Sequence, residues 1–385
     1  MLQTAIAHST ELDSQVAVEE VLKQTRETLG ELRPQAGMLF AGIDHDFDQI
    51  LGRINETYPG IELIGCTTDG EMSSAHGFAD DSIVLTLFHS EELAFKAGVA
   101  EGISQDPYTS LKKAIETARS SLGQEPKLCI VTPRGMMARA NRVVDGLQQG
   151  LGETFPIFGG NAGDQYRFQK TYQFHGKKVF TDAVPFLLFA GPLLFSFGIE
   201  GGWMPDGEKV RVTHADHNAV YKIGNQSAVD FYRHYLGEGD LDFDGFPLAV
   251  FEDVGESFYL AAVTHHAADA EKGSMTFGAN IPEGAMVQIS HTTRDKVIEA
   301  AEKSINSALT EYPGSKPSVA ICFSCCGRKE ILGTRVEEEC QVLKGNFPDL
   351  PMTGFYSYGE IGPLNRGKHS RRHNYTFLTL LIGLE

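Results

Sequence analysis

Glu62-Leu63-Ile64-Gly65-Cys66-Thr67-Thr68-Asp69-Gly70-Glu71 reads as an apolar strand that runs into a glycine-containing polar turn closed by an acid. Related stretches occur twice more, as Pro156-Ile157-Phe158-Gly159-Gly160-Asn161-Ala162-Gly163-Asp164 and Pro351-Met352-Thr353-Gly354-Phe355-Tyr356-Ser357-Tyr358-Gly359-Glu360. Each is preceded by an apolar strand (Met38–Gly42, Leu128–Thr132, Val319–Phe323) and a helical segment. Each is followed by another apolar strand (Ile83–Leu87, Phe186–Phe189, Tyr375–Leu381). Amphipathic helices over Asp106–Leu122 and Thr292–Leu309 follow short strands, Phe95–Val99 and Met286–Ser290, and precede Pro126 and Pro317. They extend the second and third copies backward by a strand and a helix, and a helix over Leu12–Leu32 leads into the first. Repetition of this length predicts one supersecondary unit used three times to build one pocket. The fold class expected is α/β (α+β), with repeated β-α-β-β units forming mixed sheets covered by helices. The least repetitive part is Gly198–Gly245, and its acidic end, Gly237–Gly245, is the expected boundary between parts 30–237 and 245–385.

A chain of 385 residues with 42% hydrophobic and 10% aromatic content has room for two or three ordinary globular cores. Its longest apolar run, Val184–Phe197, is interrupted by Pro185, Gly191 and Pro192. That is short of the roughly 20 residues of a membrane-crossing helix, and it reads as two buried strands joined by a turn. Met1–His8 has neither the basic flank nor the apolar stretch of a secretion signal, so the cytoplasm is the expected location. A formal charge of −18 repels polyanions and disfavours nucleic acid and anionic membrane as partners. The six cysteines form no paired CxxC framework and are expected to be mostly buried, reduced thiols.

Glycine turns expose backbone N–H groups and aim short polar side chains at a common point, which makes Thr67, Asn161, Asp164, Tyr356, Tyr358 and Glu360 candidates for one ligand site. Phe323-Ser324-Cys325-Cys326-Gly327-Arg328 follows the third copy's first strand. Arg328 there has two readings: a bidentate clamp for a carboxylate, with Tyr358 and Glu360 nearby, or an ion pair to Glu360 that ties two loops. Cys325, Cys326 or Cys66 would need a lowered pKa and an adjacent base to act as a nucleophile, and no signature supplies one, so an enzyme is not expected. Thirteen histidines include no closed zinc spacing, and the His214/His217 pair falls in a turn. Haem iron needs only one histidine in an apolar pocket and therefore leaves no motif to find.

With Gly202-Trp203-Met204-Pro205, Val212-Thr213 and His373-Asn374-Tyr375-Thr376, the turns resemble the FIST sensory domain in its N-terminal and C-terminal parts, from about residue 30 to the end. The resemblance implies a sensor of bacterial signal transduction that binds a small ligand. Thr67, Asn161, Asp164, Cys325, Arg328, Tyr356, Tyr358 and Glu360 are the expected ligand contacts. The free-standing layout is similar to nitric-oxide-sensing FIST haemoproteins, which regulate a partner histidine kinase. On that likeness the expected cofactor is haem, with His214, His266 or His373 as axial ligand, in a two-component system. The alternative implied by the same resemblance is a sensor of an amino-acid-like metabolite, with Arg328 on its carboxylate and Glu360 or Asp164 on its amine. A thiol-dependent enzyme is the third reading.

Overall fold

The computed structural model describes residues 1–384 other than 137–140, 238–242, 244, 252–256, 270 and 347–348. Its first unit is β1 (Gln3–Ser9), α1 (Ser14–Leu29), β2 (Ala36–Ala41), α2 (Phe47–Thr57), β3 (Glu62–Thr67), a hairpin β4 (Glu71–Ser73) and β5 (Gly77–Ala79), and β6 (Ile83–His89). The second repeats that order as β7 (Ala94–Glu101), α3 (Pro107–Leu122), β8 (Pro126–Val131), α4 (Asn141–Leu151), β9 (Ile157–Gly160), β10 (Gln173–His175), β11 (Lys178–Phe180) and β12 (Ala183–Ala190). The third begins with β13 (Leu193–Glu200). An inserted unit follows: β14 (Met204–Asp216), β15 (Ala219–Ile223), β16 (Gln226–Ser227), α5 (Ala228–Leu236), β17 (Leu248–Phe251), β18 (Phe258–Ala261), β19 (Val263–Asp269), β20 (Ser274–Phe277) and β21 (Met286–His291). The third unit then resumes with α6 (Arg294–Thr310), β22 (Val319–Cys325), α7 (Cys326–Leu332), α8 (Glu337–Asn346), β23 (Met352–Ser357), β24 (Glu360–Pro363), β25 (Ser370–His373) and β26 (Phe377–Leu384). Asp13, Asp46, Asp106 and Thr293 cap their helices by accepting first-turn N–H groups.

Three mixed sheets share one plan: β1-β6-β2-β3-β10-β11, β7-β12-β8-β9-β24-β25 and β13-β26-β22-β23-β4-β5. In each, the central pair is parallel (β2 with β3, β8 with β9, β22 with β23). Each unit also gives its hairpin to another unit's sheet, so the three are locked in a cycle. One glycine per unit makes the central pairing close. A Cβ on Gly65, Gly159 or Gly354 would lie 1.9, 2.0 or 2.1 Å from the carbonyl oxygen of Leu39, Val131 or Cys322. Successive side chains of a strand face opposite sides, and both sides are buried here. Met38, Phe40, Ile130, Ile321 and Phe323 enter a core shared by the three sheets, whereas Leu39, Val131 and Cys322 pack under helices.

The mixed, helix-covered α/β architecture matches the sequence expectation. One strand does not: Met286–Ser290 lies in β21, which pairs with β14 and β17 of the inserted unit. The third copy's leading strand is β13, paired along its length with β26. The insertion separates β13 from α6, so adjacency in sequence pointed to the wrong strand. The first copy also has a leading strand, β1, so all three units share the full plan. The acidic stretch 237–245 falls largely outside the described residues. The inserted unit has its own core around Val212, Phe231, Tyr232, Val250 and Phe277. Trp203 anchors it, packing 4.5 Å from Tyr375 and donating from Nε1 to the Gly245 carbonyl. Among the described residues no helix is long and apolar enough to cross a membrane.

Candidate functional site

The three turns meet. Asp69 N donates to Tyr356 O (2.9 Å) and Tyr356 N to Gly70 O (2.9 Å), joining the first turn to the third. Gly163 N donates to Thr67 O (2.8 Å), Asn161 N to Gly359 O (2.9 Å) and Tyr358 N to Asn161 O (3.1 Å), which ties in the second. The first and third turns are built alike. Thr68 Oγ1 donates to Glu71, and Gly70 N donates back to that hydroxyl at 3.1 Å. Ser357 Oγ donates to Glu360 at 2.7 Å and receives Gly359 N at 3.2 Å. The far oxygen of Glu71 takes Ser82 N and Oγ, and that of Glu360 takes Thr376 N and Oγ1. Burial pushes the Glu71 carboxyl up to about 7 and that of Glu360 well above the ordinary range.

The second turn departs from this plan. Asp164 accepts the N–H groups of Phe168, Gln169 and Lys170 at 2.7–2.9 Å and the Tyr358 hydroxyl at 2.5 Å. Gln165, Tyr166 and Phe168 hold positive φ (+56°, +58° and +49°), a region costly for side-chain-bearing residues. The loop they form lies over the junction. Phe168 stacks on Tyr358 with ring centroids 5.0 Å apart, Tyr166 donates its hydroxyl to Cys326 O, and Gln165 N reaches Asp69 Oδ1 at 2.6 Å.

Four polar atoms around this junction, each sealed from solvent, have no hydrogen-bond partner among the described residues: Asp69 Oδ2, Asn161 Oδ1, Arg372 Nε and Asn374 Oδ1. Burial pushes the Asp69 carboxyl up to about 7. Lys329 sits beside it, giving its ammonium to Asp69 O at 2.7 Å and to Asp80 at 2.5 Å. Arg372 donates to the carbonyls of Tyr358 and Gly278, and it also lines a groove of about 960 Å³ between the inserted unit and α4. Arg211, Arg371, Asp145 and Tyr259 line the same groove. The Arg371 guanidinium lies 5.2 Å from the Tyr259 ring centre, and Asp145 is 3.6 Å from His369.

The residues singled out from sequence divide into two groups. Thr67, Asn161, Asp164, Tyr358, Glu360 and Cys325 surround the junction. Thr67 Oγ1 accepts Tyr172 N at 3.0 Å, and Asn161 Nδ2 donates to Arg134 O at 2.8 Å. Arg328 and Tyr356 belong to a separate buried network. Arg328 reaches Glu339 Oε1 from Nε (3.0 Å) and Nη2 (2.6 Å), Gly201 O from Nη1 (2.5 Å) and Val297 O from Nη2 (2.6 Å). Ser324 and Tyr356 donate to the other oxygen of Glu339. The Arg328 ion pair is therefore with Glu339 rather than Glu360, and every guanidinium nitrogen is engaged.

Nor do the histidines converge. His214 stands in the inserted unit, exposed, 3.4 Å from Glu283 and against Tyr221. His373 is enclosed, with Nε2 2.9 Å from Gly362 O, and burial lowers its pKa to about 4. His266 lies in β19 and its side chain is outside the described residues. Neither His214, exposed beside Glu283, nor His373, enclosed with Nε2 on a carbonyl, lines the groove described above. Among the described residues no group of three or more His, Cys, Asp or Glu could hold a metal ion.

A FIST N domain matches residues 35–226 and a FIST C domain matches residues 228–363. The chain belongs to the FIST family. FIST domains are associated with the sensing of small ligands in signal transduction. An uncharacterised protein of Methanocaldococcus jannaschii is 24% identical over 318 residues, which are 77% of this FIST chain and 60% of that protein. The chain thus spans about three-fifths of the length of the curated relative it matches. Among solved structures, a cyanuric acid hydrolase from A. caulinodans aligns over all of both chains at a TM-score of 0.42 and 8% identity. PurLQS from Thermotoga maritima aligns at 0.23 and 12%, over 99% of this chain and 72% of that one. Likeness at this level carries no inference about function.

Sequence reasoning on this FIST chain missed Asp69, Lys329, Arg371, Arg372 and Asn374. Asp69 lies inside the stretch that reveals the fold, and Asn374 lies beside His373 in a quoted motif. Arg371-Arg372 directly precedes that motif, and an adjacent pair of cations in a chain of charge −18 was the available signal.

Proposed function

We propose that the groove beside the junction binds a small zwitterion of the amino-acid class, and that this FIST chain reports its occupancy to a separate signalling protein. The observation that carries the reading is the set of three guanidiniums, Arg211, Arg371 and Arg372, around one cavity of a strongly acidic chain, with the acid Asp145 on the same lining. Guanidinium groups match a carboxylate in shape and charge, and a carboxylate such as Asp145 suits an ammonium. Arg372 gives one N–H of Nη1 to the Gly278 carbonyl and one of Nη2 to the Tyr358 carbonyl, and each of these nitrogens carries a second N–H. The proposal is of binding without turnover. A histidine kinase is the partner implied by the family resemblance. The reading needs no haem.

A thermal-shift screen of free amino acids against their amides tests this. Ligand at 100 times its Kd stabilises the folded state by about 2.7 kcal/mol. At least one free amino acid is expected to raise the Tm, its amide to do so weakly, and Arg371→Ala to abolish the shift. A screen in which no amino acid acts, or in which acid and amide act equally, would contradict the proposal.

A further inference from the structure

Cys325 and Cys326 are consecutive, at the end of β22 and the start of α7. Their surroundings set them apart from the other cysteines. Cys66, Cys129, Cys322 and Cys340 lie within apolar cores, and burial pushes each of those thiols up. The consecutive pair faces the polar junction instead. Cys325 N donates to Thr376 O at 3.1 Å, which seats the buried Cys325 beside the half-buried Cys326. The neighbouring Cys326 thiol above all, with the N–H groups of Tyr375 and Gly327 and the charge of Arg372, lowers the Cys325 pKa to about 7. Cys326 is partly exposed, lies under the Tyr166 loop and neighbours Asp69, a fully enclosed acid whose Oδ2 has no partner. The pair has what a redox-active dithiol requires: an attacking sulfur beside a cation, a second thiol on the next residue, and a solvent-reachable edge.

We propose that Cys325 and Cys326 form a peroxide-responsive dithiol that closes to a vicinal disulfide. The Cys325 thiolate attacks one peroxide oxygen, the O–O bond breaks, and the departing hydroxide takes a proton to become water, leaving Cys325 as a sulfenic acid. The Cys326 sulfur then attacks the Cys325 sulfur. The S–O bond breaks, and hydroxide leaves with the Cys326 proton as a second water. Two thiols are oxidised and one peroxide is reduced. Neighbouring Cα atoms stand about 3.8 Å apart, shorter than the span most disulfides adopt. The product is therefore strained and easily reduced, a property of regulatory rather than structural bridges. Closing the ring also shifts the first turn of α7, from which Lys329 reaches Asp69 and Asp80. If the groove binds a carboxylate as proposed above, oxidation removes a negative charge from beside Arg372 and tightens that binding.

The test is intact and peptide mass spectrometry of the full chain after hydrogen peroxide, with and without dithiothreitol. The expected result is loss of two hydrogen atoms within the peptide carrying Cys325 and Cys326, reversed by dithiothreitol. Cys326→Ser should stop at a sulfenic acid on Cys325 that dimedone traps, and phenylarsine oxide should label the reduced protein but not the oxidised one. Oxidation confined to other cysteines, irreversible over-oxidation of Cys325 in the unmodified protein, or no arsenical capture would each overturn the proposal. Those failures leave the groove reading standing, just as failure of every amino acid to bind would leave the disulfide standing. Equal amino-acid affinity in oxidised and reduced protein would overturn the link between the two.

Discussion

In the first turn Thr68 and Ser82 close on Glu71 as Ser357 and Thr376 close on Glu360 in the third, whereas the second turn has Ala162 where the others carry a hydroxyl. In the first and third turns the buried glutamates are hydrogen-bonded through both oxygens. The second uses Asp164 to hold a strained loop over the place where all three meet, and Asp69 Oδ2 and Asn161 Oδ1 are left without partners there. Buried polar atoms without partners are costly. The repeat supplies the frame, and the departure from it supplies the loop that covers the junction.

The three close-approach glycines offer the hardest test of equivalence between the units. Gly65→Ala, Gly159→Ala and Gly354→Ala each force a Cβ against a carbonyl of the neighbouring strand. Each should cost about 3 kcal/mol, the upper end of overpacking, in denaturant unfolding. If one were tolerated while the others were not, the shared frame would be broken at that unit. The second turn is probed by Asp164→Asn, which weakens the caps on Phe168, Gln169 and Lys170 and should cost about 2 kcal/mol. Amide exchange of those three residues should quicken, and unchanged exchange would show that Asp164 does not hold the loop.

The glutamate latches predict a pH dependence. Glu71 has a folded pKa near 7 against an ordinary 4.5, so the folded state binds more protons than the unfolded state between those values. Its stabilising contribution is full below about 4.5 and is lost as pH rises through about 7, at no more than about 1.4 kcal/mol per pH unit. Glu71→Gln should flatten the stability profile over that window, and Glu360→Gln should act in the same direction. A profile that neither substitution alters would separate the two turns from the chemistry they share.

The repeated units were legible because each is a local pattern of apolar strands and glycine turns. The exchange of hairpins among sheets was not, since nothing in β4, β10 or β24 names the sheet it joins. Met286–Ser290 stood in for β13 as the third copy's leading strand because an insertion separates β13 from its helix. Arg328 pairs with Glu339 on α8 rather than with Glu360, a partner chosen by packing rather than proximity in sequence. Arg372 was missed because its importance depends on where β25 delivers it: between Tyr358, the thiol pair and the groove.

The most direct measurement of the central claim is calorimetric binding of one responsive amino acid and its decarboxylated amine to the unmodified protein, Arg371→Ala and Asp145→Asn. The account predicts that Arg371→Ala weakens the amino acid tenfold or more and leaves the amine unchanged, whereas Asp145→Asn weakens both. Binding that neither substitution affects would place the ligand elsewhere and contradict the account.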